Sequence, residues 1–261
     1  MGLVAVFVGA LYAMTLAWAY FFPPTATTLS GFLVSFVPAV WLPTALAVAL
    51  TAASTGWTGV KREVAARLTV PNNTVGLFLI AALLPASITL AAAFISRTSG
   101  DGAAWIPRGA IAVAVLLQVI TGAVGEELGW RGFVVPRLAD RLGSVGAAWL
   151  MGAAWALWHL PAFFTPGMPH QTFPLVWTLL FIMAFGAFMG LLFQAAGQTI
   201  LITIAAHLSL NITTAMGGVN LSSPIFWGSL AVAFWTIAGV WSLSMRRGAR
   251  QGTSVAPAAL S

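Results

Sequence analysis

The apolar positions of this chain come in long runs broken by short polar stretches. A helix needs about 20 mostly apolar residues to cross a bilayer. Eight runs have that character: residues 3–22, 31–51, 75–96, 108 to about 138, 144–164, 173–194, 199–216 and 224–244. Short alternating strands, the signature of a membrane β-barrel, are missing from the pattern. The expectation is an all-α, polytopic membrane bundle of about eight transmembrane helices in one domain over residues 1–245. The seventh run is the least apolar, because it holds His207, Ser209 and Asn211. The first contains a small-x-small site, "AWA" at 17–19. No Lys or Arg precedes it and the run is longer than the apolar core of a signal peptide, so it reads as the first span.

Composition sharpens this picture. The chain is 60% hydrophobic and 6% charged, with a mean hydropathy of +0.96, whereas soluble domains carry about 25% charged residues. The net charge is +6, but the charges form no basic face, which excludes a nucleic-acid partner. There is no cysteine, so disulfides, thiolate catalysis and prenylation of the chain itself are excluded.

Basic residues orient the spans. Lys61, Arg62 and Arg67 lie between spans two and three, Arg137 and Arg141 flank the turn after span four, and Arg246, Arg247 and Arg250 follow span eight. With eight spans these fall on one side, leaving Arg97 and Arg108 on the other. Both termini are therefore expected in the cytoplasm, and residues 246–261 as a basic, disordered tail. The bias of Arg over Lys suggests a bacterial protein of the inner (plasma) membrane.

Against this background a few polar side chains stand out, since ionisable residues inside spans are costly and default to functional candidates. In "GEELGWRGF", Glu127 and Arg131 are four apart on one helix face and read as a neutralising structural pair. Glu126 points about 100° away from Glu127. His159 sits in "WALWHLP", with Trp155 one turn back and Pro161 set to end the helix. His207 and Asn211 share a face in "HLSLN". The turn "DRLG" at 140–143 makes spans four and five an antiparallel hairpin, placing Glu126 and His159 at similar depth. That depth is roughly 20–25 Å from the turn, provided Pro136 does not break the fourth helix. His207 lies at comparable depth.

A carboxylate beside a histidine can take a proton from water and return one to a leaving amine. A second histidine and an amide can donate to an oxyanion. Together they describe hydrolysis of an amide bond. No serine-nucleophile motif and no H-E-x-x-H is present. Glu126, His159 and His207 would equally suit a zinc shell, so the residues alone leave open a metal-bound water.

"EELGWR", "WALWH" and "HLSLN" fit, in order, the motifs E-E-x-x-x-R, F-x-x-x-H (with Trp155 for Phe) and H-x-x-x-N. Over about residues 115–215 the chain resembles the CAAX-prenyl-protease and bacteriocin-processing family, also called CPBP or Abi proteins. The resemblance implies an intramembrane endopeptidase acting on a membrane-associated peptide or protein. Glu126 and His159 would activate water, and His207 and Asn211 would stabilise the oxyanion. Glu127, Arg131 and Trp155 would support them, with no cofactor required although zinc is possible. The alternatives are a proton-coupled transporter, which the clustering of polar residues in the second half disfavours, and a peptide-binding immunity or scaffold protein.

Overall fold

The computed structural model describes residues 2–22, 29–103 and 111–252. Helices α1 (Gly2–Phe21), α2 (Leu29–Leu68) and α3 (Val75–Thr98) form the first half. The fourth span is composite: α4 (Ile111–Gln118), a π-helical segment Val119–Ala123, the short α5 (Val124–Glu127) and a second π segment, Leu128–Val134. It continues into α6 (Val135–His159), which also contains the fifth span. Two 3₁₀ turns, Leu160–Phe163 and Pro169–Thr172, lead to α7 (Leu175–Ala195), α8 (Ile200–Met216) and α9 (Pro224–Gly252). Among the described residues no strand occurs, only an isolated bridge between Gly102 and Val219. Among the described residues, five helices are long and apolar enough to cross a membrane. The protein is an all-α integral membrane bundle.

The fourth and fifth spans turn at Gly143, where φ is 66° and ψ is 172°. That backbone suits glycine, which lacks the Cβ that would clash. The hairpin is verified by its cross-contacts: the Trp130 and Trp158 rings are 6.0 Å apart, and Trp155 Nε1 donates to Glu126 at 2.7 Å. Pro136 does not break the fourth span. It falls in the first turn of α6, directly after the wide π turns of Leu128–Val134. The Gly132 carbonyl, four residues before that proline, accepts Arg67 Nε at 3.1 Å. Proline has no N–H to offer it.

The stretch carrying Lys61, Arg62 and Arg67 forms the last turns of α2 beyond a break at Gly56. One expectation needs correction, that of a disordered tail beginning at residue 246. The tail is helical through Arg246 and Arg247 to Gly252, because Met, Arg and Ala are good helix formers and nothing there stops α9. Residues 253–261 and Arg108 lie outside the described residues.

Small residues let the helices approach closely, as expected in a bilayer, where apolar burial against neighbours gives little net drive. Gly186 and Gly190 of α7 face Ala148 and Gly152 of α6; a β-carbon on Gly152 would come within 2.4 Å of the Met183 carbonyl oxygen. Gly125 and Gly129 do the same against α2, with a β-carbon on Gly129 only 2.5 Å from the Pro43 carbonyl. The two glycines flanking the glutamates are thus the packing face of "GEELG", and they turn the glutamates away from α2 toward α6 and α8.

Candidate active site

Four elements bring the candidate residues together. Glu126 and Glu127 come from α5, Arg131 from the following π segment, Trp155 and His159 from the end of α6, and His207 and Asn211 from α8. Glu126, Glu127, Arg131 and His207 are buried.

Glu127 and Arg131 form the expected pair, with Arg131 Nη1 at 2.9 Å from Glu127 Oε1 and both side chains fully buried. The pair is not closed on itself. His207 Nδ1 lies 2.9 Å from the same Oε1, and the Arg131 guanidinium lies over the Trp155 ring at 4.3 Å. Glu127 is therefore a hub joining α8 to the fourth span, a link that the four-residue spacing alone does not reveal.

Glu126 has no partner on its own helix. Its carboxylate accepts the indole N–H of Trp155 at 2.7 Å. Glu126 and His159 line one cavity without a direct bond, and Trp155 stands between the histidines, its ring 5.1 Å from His159 and 5.4 Å from His207. His159 Nδ1 lies 2.8 Å from the Trp155 carbonyl. A carbonyl only accepts, so Nδ1 carries a proton; in the neutral ring Nε2 then keeps its lone pair. Asn211 lies one turn beyond His207, its amide against the backbone of Gly122, where a β-carbon would meet Nδ2 at 2.9 Å. Ser209 points elsewhere and donates to the Ala82 carbonyl.

Glu126, His159, His207 and Asn211 all line a cavity of about 420 Å³ whose walls include Trp158, Phe181 and Trp227. Among the described residues no three His, Asp or Glu side chains are grouped to hold a metal ion.

His170 is the residue the sequence pattern passes over. It lies in the 3₁₀ turn Pro169–Thr172, between spans, and lines the same cavity. Its ring centroid is 6.2 Å from that of His159, and its Nδ1 is buried without a hydrogen-bond partner among the described residues. Burial pushes this imidazole down, to about 4, so it is neutral near pH 7. No motif or helical spacing links residue 170 to the others, because a loop carries it there.

Comparison with known proteins agrees with the motifs. Residues 108–213 match the family model described as Type II CAAX prenyl endopeptidase Rce1-like. A CAAX prenyl protease 2 from Methanococcus maripaludis is 42% identical over 52 residues, 20% of this chain and 19% of the relative. The aligned segment thus spans about a fifth of that relative's length. The ordered motifs and the matched region agree: over residues 108–213 the chain is similar to the Type II CAAX prenyl endopeptidase Rce1-like family.

Proposed function

We propose that the protein is an intramembrane endopeptidase that hydrolyses a peptide bond of a membrane-associated protein or peptide. The observation that carries this reading is that Glu126, His159, His207 and Asn211, drawn from three helices, line one cavity. In the proposed reaction Glu126, assisted by His159 Nε2, takes a proton from a water molecule. The hydroxide adds to the scissile carbonyl carbon. Asn211 Nδ2–H and His207 Nε2–H donate to the oxygen as it becomes negative, as oxyanion donors do. The proton then passes to the leaving nitrogen as the C–N bond breaks. Glu127 supports this role of His207 by accepting from Nδ1 and holding the ring in place, while Arg131 offsets the carboxylate's charge.

The same reading puts the protein in a bacterial plasma membrane with both termini cytoplasmic. Its support is the basic residues gathered at the end of the bundle where α1 begins and α9 closes.

The test is cleavage of a library of membrane-anchored peptides, lipidated and unlipidated, by the protein in vesicles. Glu126→Gln and His159→Ala should each lose at least about 100-fold in rate, the lower range of acid–base contributions. A Glu126→Gln variant with undiminished cleavage would refute the mechanism. Activity should survive a strong chelator; loss restored by Zn²⁺ would replace the proposed water activation by a metal-bound water.

A further inference from the structure

The two ends of the bundle differ in what they admit. The end carrying the Gly143 turn is sealed. There Arg67 Nη1 donates to Gln198 Oε1 at 2.6 Å, Thr199 Oγ1 donates to the Arg67 carbonyl at 3.2 Å, and Glu63 lies 3.5 Å from both Arg67 and Arg137. Above this layer Trp130, Arg131 and Leu138 are fully buried. The cavity between α2 and the second π segment at this end has only about 20 Å³, room for roughly one water.

The reaction chamber lies at the other end. Its floor is the buried Glu126, Trp155 and His207. Its walls are the end of α1, the early part of α2, both 3₁₀ turns and the later part of α8. Phe22 and Pro169 are lining residues that are exposed, and they mark its rim. Lys61, Arg62 and Arg67 end α2 at the sealed end, Arg137 and Arg141 precede the Gly143 turn, and Arg246 and Arg247 lie toward the end of α9. Among the described residues, Arg97 stands at the chamber end. Basic residues mark the cytoplasmic side.

We propose that the chamber opens on the face of the membrane away from the cytoplasm, so that its substrate is an exported or membrane-anchored polypeptide whose apolar segment enters from that leaflet. The substrate half of this rests on the endopeptidase reading; the orientation does not. Aromatic walls suit apolar side chains around the scissile bond, and the sealed end denies a cytoplasmic peptide any route to Glu126.

The chain's lack of cysteine makes the test direct. Single-cysteine variants of the full chain would be expressed in bacterial cells and treated with a membrane-impermeant maleimide. Exposed positions at the chamber end, Thr172→Cys and Ser99→Cys, should label in intact cells. Exposed positions at the sealed end, Thr69→Cys and Asn72→Cys, should label only after permeabilisation. Thr214→Cys, in the chamber wall, should react with a small charged methanethiosulfonate added outside. The reverse pattern at the exposed positions, or a Thr214→Cys that reacts only after permeabilisation or never, overturns the proposal. Labelling needs no turnover, so Glu126→Gln should leave the pattern unchanged. A chain that labels as expected but cleaves nothing defeats the endopeptidase reading and leaves the orientation standing.

Discussion

At the sealed end of the bundle charged side chains are matched to one another, as Glu63 is to Arg67 and Arg137. At the chamber end the polar groups are matched only in part. His159 Nδ1 and Glu126 are each held by Trp155, while His170 Nδ1 has no partner. Between them lies the Glu127–Arg131 pair, fully buried yet touching the chamber through His207. The contrast is local: Glu63, Arg67 and Arg137 satisfy one another and clasp helices together, whereas His170 presents an unbonded ring nitrogen among the residues that line the chamber.

The largest expected effect strikes the junction. Arg131→Met strands the Glu127 carboxylate in the interior and should cost about 3–5 kcal/mol, the loss seen when one partner of a buried pair is removed. Thermal unfolding in detergent would report it, and a smaller loss in the double variant Glu127→Gln, Arg131→Met would show that the stranded charge is the cause. Next comes helix packing. Gly152→Val pushes α6 off α7 and should cost about 1–3 kcal/mol by overpacking; because Trp155 and His159 ride on α6, cleavage should fall with stability.

The third prediction is confined to the chamber. Trp155→Phe keeps the aromatic wall and removes the N–H that holds Glu126, so kcat/KM should fall by about tenfold, the equivalent of one charge-assisted hydrogen bond. The unfolding midpoint should barely move. An unaltered kcat/KM would mean that the indole serves only as a wall. The smallest effect belongs to the seal. Glu63→Gln should change stability by no more than about 1 kcal/mol, as part-exposed ion pairs do. A loss of several kcal/mol there would break the contrast between a buried junction and a peripheral clasp.

How much of this was legible beforehand differs from residue to residue. The turn at Gly143 was, because a polar "DRLG" interrupts two apolar runs. The shared face of Glu127 and Arg131 was, because a spacing of four is a local property of the helix. Trp155 was legible as an aromatic wall and not as a hydrogen-bond donor to Glu126, since that bond joins residues 29 apart. The contact of His207 with Glu127 spans 80 residues, and no periodicity reports it. The passage of the helix through Pro136 depended on π turns, which leave no hydrophobic signature of their own.

The sequence by itself determined the medium, the all-helical class, the hairpin and the residue types available for chemistry. These follow from apolar run length and from the cost of placing charge in a bilayer. Only the tertiary structure decided which face of "GEELG" packs and which lines the chamber. Gly125 and Gly129 press on α2, Glu127 is shared between Arg131 and His207, and Glu126 is left to Trp155 and the chamber. Helical spacing fixes which side chains share a face, but which neighbour that face meets is settled by how closely helices from distant parts of the chain can pack.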